Sequence, residues 1–464
     1  MVSRHVGSDE ETLMDKIENT DVILHAFDWP YALIEEEATT IAQLGYRSVL
    51  ISPAMKSLSL PQGTPWWQRY QPQDYRVVDN QLGNLTALRS MITTLDSLGI
   101  HVYVDVVFNH MANESDIRHD LQYPNTDVLA QYQQDHDYYQ AQRLFGDLTL
   151  PLFRDVDFVE AFRISDWRDK WQVQHGRLVG DENDPGLPTL KDNPHVVSQQ
   201  RAYLVALKQL GVKGFRIDAA KHMTLEHLTQ VWSADICEGM HIFAEIITDG
   251  GATKQEYQNF LEPYLAATPL AAYDFPLFQT LLQAFQPTGS LTSLVDPYSL
   301  GQALAESRAV TFAITHDIPN NAVFAGLVME EEWEALAYIY LLGRDGGVPL
   351  IYSDLNTSGM EDKQGSPRWL EGWQSSAMRA MIQFHNLMHG CSMHVLQWGD
   401  DTLAFARGDK GLVLLNKSNK VQRFELSVEG EWRDILLKSR CEREELLVVE
   451  VSPRSGAMLV PAVS

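Results

Sequence analysis

Short apolar runs alternate with amphipathic segments along most of the chain. Val22–Phe27 and Tyr46–Ser52 are rich in β-formers, and a helical pattern over Ala38–Leu44 stops at Gly45 between them. Leu85–Leu98 has helical spacing and closes at Gly99, and His101–Phe108 is an almost continuous apolar run. The rhythm resumes with a helix over Gln199–Leu210, a strand over Val212–Ile217, a helix over Leu225–Trp232 and a strand over His241–Ile246. Ala271–Asp274, Ala309–Thr315 and Val348–Tyr352 complete eight candidate strands. Strands alternating with helices predict a parallel sheet covered by helices, and eight of them suffice for a closed (β/α)8 barrel.

Two stretches break this rhythm. Residues 111–185 are polar, rich in Asp, Gln and Tyr, and too long for an ordinary loop, so they are expected to form an inserted domain. From Cys391 onward, alternating runs at Thr402–Arg407, Leu412–Asn416, Gln422–Leu426, Leu446–Val451 and Ala457–Val460 sit between turn residues and predict a terminal antiparallel β-sandwich. The expected division is 1–110 barrel, 111–185 insert, 186–390 barrel and 391–464 β-domain.

Charge and cysteine content narrow the function. The 464 residues carry 36 Lys and Arg against 62 Asp and Glu, a net charge of −26. That balance disfavours nucleic acid and anionic lipid as partners, because both need basic patches. Three scattered cysteines give no disulfide framework or zinc spacing. Met1–Glu11 is polar, with no apolar signal segment, and no run is long enough to span a membrane; a cytoplasmic protein is the expectation.

In (β/α)8 barrels the chemistry sits at the C-terminal strand ends. Here those ends carry Asp105 with Asn109 and His110, then Arg216 and Asp218 with Lys221 and His222, then Glu245, then His316 and Asp317. Arg216 and Asp218 share a strand face, and a cation there favours the ionised carboxylate. Glu245 lies in the apolar run Ile242–Ile246, where desolvation raises a carboxyl pKa. An ionised carboxylate paired with a protonated one suits retaining glycoside cleavage. A zinc hydrolase is the rival for the histidines, but no H-x-H or H-E-x-x-H pair is present.

The ordered motifs resemble the α-amylase family of retaining glycoside hydrolases: Gly45–Pro53, Asp105–His110, Gly214–His222, Phe243–Glu245, Thr311–Asp317 and Gly347–Tyr352. The resemblance spans nearly the whole chain. It implies Asp218 as nucleophile, Glu245 as acid/base and Asp317 as transition-state stabiliser, with Arg216, His110 and His316 lining the cleavage subsite and Lys221 and His222 bounding the acceptor side. Trp66-Trp67-Gln-Arg-Tyr70-Gln71-Pro72 is similar to the cleft segment of animal-type and related bacterial members, which implies sugar contacts for Trp66, Trp67, Tyr70 and Gln71. The implied partner is an α-glucan or maltooligosaccharide cleaved at α-1,4 bonds; a transglycosylase or a hydrolase of another α-glucosidic linkage with the same machinery, and a non-catalytic glucan-binding protein, are the alternatives. Many members bind calcium, for which Asn109 and the His222 carbonyl fit. Thr189 stands where an aspartate ligand is usual, with Asp155, Asp157 or Asp192 as substitutes, so calcium stays open. Thr315 replaces the asparagine of chloride-binding members, so no chloride site is expected.

Overall fold

The computed structural model describes residues 20–443 and 445–462; Met1–Glu11, read for targeting signals, lies outside them. Eight parallel strands close a barrel in chain order: β1 (Ile23–Ala26), β2 (Ser48–Ile51), β3 (His101–Val106), β4 (Gly214–Ile217), β5 (His241–Ala244), β6 (Ala271–Tyr273), β7 (Ala309–Phe312) and β8 (Val348–Ser353). The helix following each strand is, in order, α1 (Ala38–Leu44), α2 (Leu85–Ser97), α3 (Pro194–Leu210), α4 (Leu225–Val231), α5 (Glu262–Ala267), α6 (Phe275–Phe285), α7 (Glu331–Gly343) and α8 (Ser376–Leu387).

Most of the predicted strands run past the observed ladders at their C-terminal ends. Ile246, Asp274 and Thr315 belong to apolar runs whose last residues leave the sheet as loops of the mouth. Helix α3 begins five residues earlier than its periodicity suggests. Asn193 caps it by accepting from the Val196 N–H, and Pro194 takes the first helical position, where a missing N–H costs nothing.

Strand register places the mouth. Asp105 pairs with Arg216 across β3 and β4, and Ile217 pairs with Ala244 across β4 and β5. Asp218 and Glu245 therefore leave neighbouring strands at the same height. Their backbone N–H groups still extend the ladder, donating to Val106 O and Ile217 O. Gly214 is required for close packing, since a Cβ there would lie 2.4 Å from the Tyr103 ring.

Between β3 and α3 the chain forms an insert of short helices, among them Thr126–Gln134 and Lys170–His175. Its isolated bridges, His110 with Thr189 and Phe158 with Leu190, tie it to the barrel rim. The C-terminal domain packs a sheet of β10 (Thr402–Arg407), β11 (Gly411–Asn416) and β16 (Ser455–Pro461), flanked by β9 (Met393–Trp398) and β13 (Trp432–Asp434), on a second sheet of β12 (Gln422–Leu426), β15 (Leu447–Val451) and β14 (Ser439–Arg443). Leu412, Leu414 and Leu459 meet Phe424, Val449 and Val451 between the sheets, whereas Phe405, Val413 and Met458 join the barrel core. Among the described residues no helix is long and apolar enough to cross a membrane.

Candidate active site

Arg216 is fully buried and organises the mouth. Its Nη1 donates to both oxygens of Asp105 at 2.7 Å and to Asp218 Oδ1 at 3.0 Å. Its Nη2 donates to Glu245 Oε1 at 2.5 Å and lies 3.8 Å from Asp317 Oδ2. Four carboxyl groups thus surround one guanidinium, whose planar fork can hold several acceptors at once. The second Glu245 oxygen accepts from the Ala219 N–H at 3.0 Å. Ala219 holds that N–H in place with φ of 47°, a left-handed conformation that costs a non-glycine residue of order 1 kcal/mol.

Four acids and one base cannot all be charged in a dry pocket without cost. Burial pushes Glu245 up to about 7; Arg216 opposes this, while Asp317 reinforces it. Asp218 departs from expectation in the free site. Arg216 lowers it as anticipated, but burial outweighs that pull, and Glu245, Asp105 and Asp317 add to the rise, so its carboxyl is pushed well up. The pocket titrates as a coupled set.

The histidines divide sharply. His316 is sandwiched between the rings of Phe27 (centroids 4.6 Å apart) and Tyr70 (5.1 Å), with Trp66 edge-on at 5.7 Å. Burial, then Arg216, lowers its pKa, so it is neutral. Neither of its ring nitrogens has a hydrogen-bond partner in the protein; Nε2 stands 3.5 Å from Asp317 Oδ2. His110 is also buried, with its pKa lowered to about 4, but its Nε2 is 2.9 Å from Tyr70 O and its Nδ1 is 3.3 Å from Asn109 Nδ2. That corrects the reading of His110 as a donor to sugar: one nitrogen holds the Tyr70 loop and the other is taken by the adjacent Asn109 side chain.

The remaining predicted residues sit around this centre. Tyr70 donates to Asp105 Oδ2 at 2.7 Å. Trp66 is half-buried against Tyr70 and Trp67 is exposed. The Gln71 side chain accepts from the Asn113 N–H and so anchors the insert. Lys221 is drawn to Glu256 and the Ile247 carbonyl, at 2.8 and 3.1 Å. His222 Nδ1 is 2.9 Å from Val173 O in the insert, and the exposed Trp167 meets its ring edge-on. Asp105, named among the strand-end carboxylates though given no role, completes the site with Phe27 and with Tyr273, whose ring lies under the guanidinium; those two rings were not singled out.

At the calcium seam, Thr189, Asp157 and Asp155 are already engaged within the protein. Thr189 Oγ1 donates to Gly176 O, Asp157 accepts from Arg154 N and Asn193 Nδ2, and Asp155 accepts from Leu121 N. Among the described residues no three His, Cys, Asp or Glu side chains converge there. Calcium prefers six to eight oxygens including carboxylates, and these side chains do not fit it.

A family profile described as the alpha amylase catalytic domain matches residues 34–267, and the alpha amylase C-terminal all-beta domain matches residues 394–458. An alpha-amylase of Aeromonas hydrophila is 48% identical over 434 residues, 92% of either chain. The chain belongs to the α-amylase family. It is an α-amylase-like glycoside hydrolase. An alpha-amylase of Thermomonospora curvata is 30% identical, covering 86% of this chain and 64% of that one. The fold matches the crystal structure of alpha-amylase I from Eisenia fetida, with a TM-score of 0.70, 22% identity and 96% of each chain covered.

Proposed function

We propose that this α-amylase family member cleaves α-1,4-glucosidic bonds of starch, glycogen or maltooligosaccharides by double displacement with retention. Asp218 attacks C1 as Glu245 gives its proton to the departing glycosidic oxygen. Glu245 then takes a proton from water, which attacks C1 and releases Asp218. Asp317 binds hydroxyls of the distorted ring, and His316, with unpartnered nitrogens, receives a sugar hydroxyl. Tyr70, Trp66 and Trp67 offer aromatic faces to apolar sugar faces.

The observation that carries this reading is the placement of Asp218 and Glu245 on the two terminal nitrogens of one arginine, with Asp317 3.8 Å from the same guanidinium. A proton on Glu245 removes one negative charge from beside Asp218, so the Arg216 guanidinium meets less opposition in favouring the Asp218 carboxylate. The reaction needs the two carboxyls about 5–5.5 Å apart, with one charged and one protonated.

The test is stereochemical. Proton NMR of early maltooligosaccharide digestion is expected to show α-anomeric products first, and β-anomers first would overturn the mechanism. Products longer than the substrate would reveal sugar as a competing acceptor. No calcium or chloride step is invoked: the seam side chains do not suit calcium, and the Thr315 hydroxyl offers one donor where an amide offers two.

A further inference from the structure

On the face opposite the mouth, Asp21 precedes β1, and His385 and His389 stand four residues apart at the end of α8. We propose that these three side chains bind a first-row transition dication, zinc foremost. One ligand atom from each converges, all within 4.8 Å of one another. Tetrahedral zinc needs its ligands about 3.3 Å apart, so Asp21 Oδ1 and His385 Nε2, 2.6 Å apart, would separate slightly around the ion while the exposed His389 turns toward it.

The placement of His385 between two acceptors suits a cation. Its Nδ1 lies 3.2 Å from Leu342 O and its Nε2 lies 2.6 Å from Asp21 Oδ1. A backbone carbonyl and a carboxylate are both acceptors, yet a neutral imidazole carries one N–H. A metal ion on Nε2 would leave Nδ1–H to face the carbonyl. A metal ion uses all three, with Nδ1–H donating to the carbonyl as the outer contact that orients a metal-bound histidine. Two imidazoles and a carboxylate suit zinc, copper or nickel and not calcium. The ion would join the start of the first strand to the last barrel helix, 364 residues away, and would stabilise the closed barrel by binding the folded form only.

The experiment uses the full chain, stripped with a chelator and dialysed. Zinc titration by calorimetry is expected to give one tight site per chain and a Tm rise of roughly 2–6 °C. His389→Ala, an exposed change that should not disturb folding, is expected to weaken zinc binding about 10–100-fold while leaving zinc-free hydrolysis unchanged. Asp21→Asn should weaken it similarly. A wild-type Tm that ignores zinc, or undiminished affinity in His389→Ala, would overturn the proposal.

Discussion

At the barrel mouth, buried polar atoms are left without protein partners; along the seam between barrel and insert, the corresponding groups are paired. His316 has two free ring nitrogens and Arg216 a free Nε, while His110, Thr189 and His222 are each engaged by backbone or side chain. Both regions are dry and both hold neutral histidines. The difference separates binding from scaffolding: an unsatisfied buried group costs stability unless a ligand completes it. The mouth leaves polar atoms for a ligand to complete, whereas Thr189, His110 and His222 at the seam are already engaged.

The largest effect that would break this contrast belongs to Glu245. Glu245→Gln keeps the shape and removes the proton donor, so turnover should fall about 10²–10⁴-fold. Tm should not fall, because the substitution removes an acid held in an unfavourable environment. A variant with near-normal turnover would place the acid elsewhere.

Next comes pH. Glu245 must be protonated to act, and its folded value lies near 7. As pH rises through about 7 the protonated fraction drops, so kcat/KM should decline about tenfold per unit beyond it. A plateau to pH 9 would separate the acid from this residue. Removing the Tyr70 hydroxyl has a smaller consequence. Tyr70→Phe takes a hydrogen bond from buried Asp105, a destabilisation of about 1–3 kcal/mol by thermal unfolding. The smallest effect is expected at the seam: adding calcium to chelator-treated protein should move Tm by less than about 1 °C, and a shift of several degrees would restore a calcium site there.

The barrel was legible because its strands are buried apolar runs and its helices keep a 3.6-residue rhythm. The three proposed reactive carboxyls were legible because each sits at or just past the end of such a run. Two things were not. Whether a ring nitrogen faces sugar or backbone depends on the Tyr70 loop, which sequence spacing does not describe; His110 and His316 look alike in sequence and differ only in partners. The net direction of Asp218 was also hidden. The adjacent Arg216 is visible two residues away, but Asp105, Glu245 and Asp317 come from three other strand ends and add their charge only in the folded mouth.

The division of labour between Asp218 and Glu245 is tested most directly by trapping. A slow fluorosugar substrate that accumulates the glycosyl-enzyme, followed by peptide mass mapping, is expected to place the sugar on the peptide containing Asp218 and on that carboxyl. A label on Glu245 or Asp317, or steady turnover with no covalent species, would contradict the account.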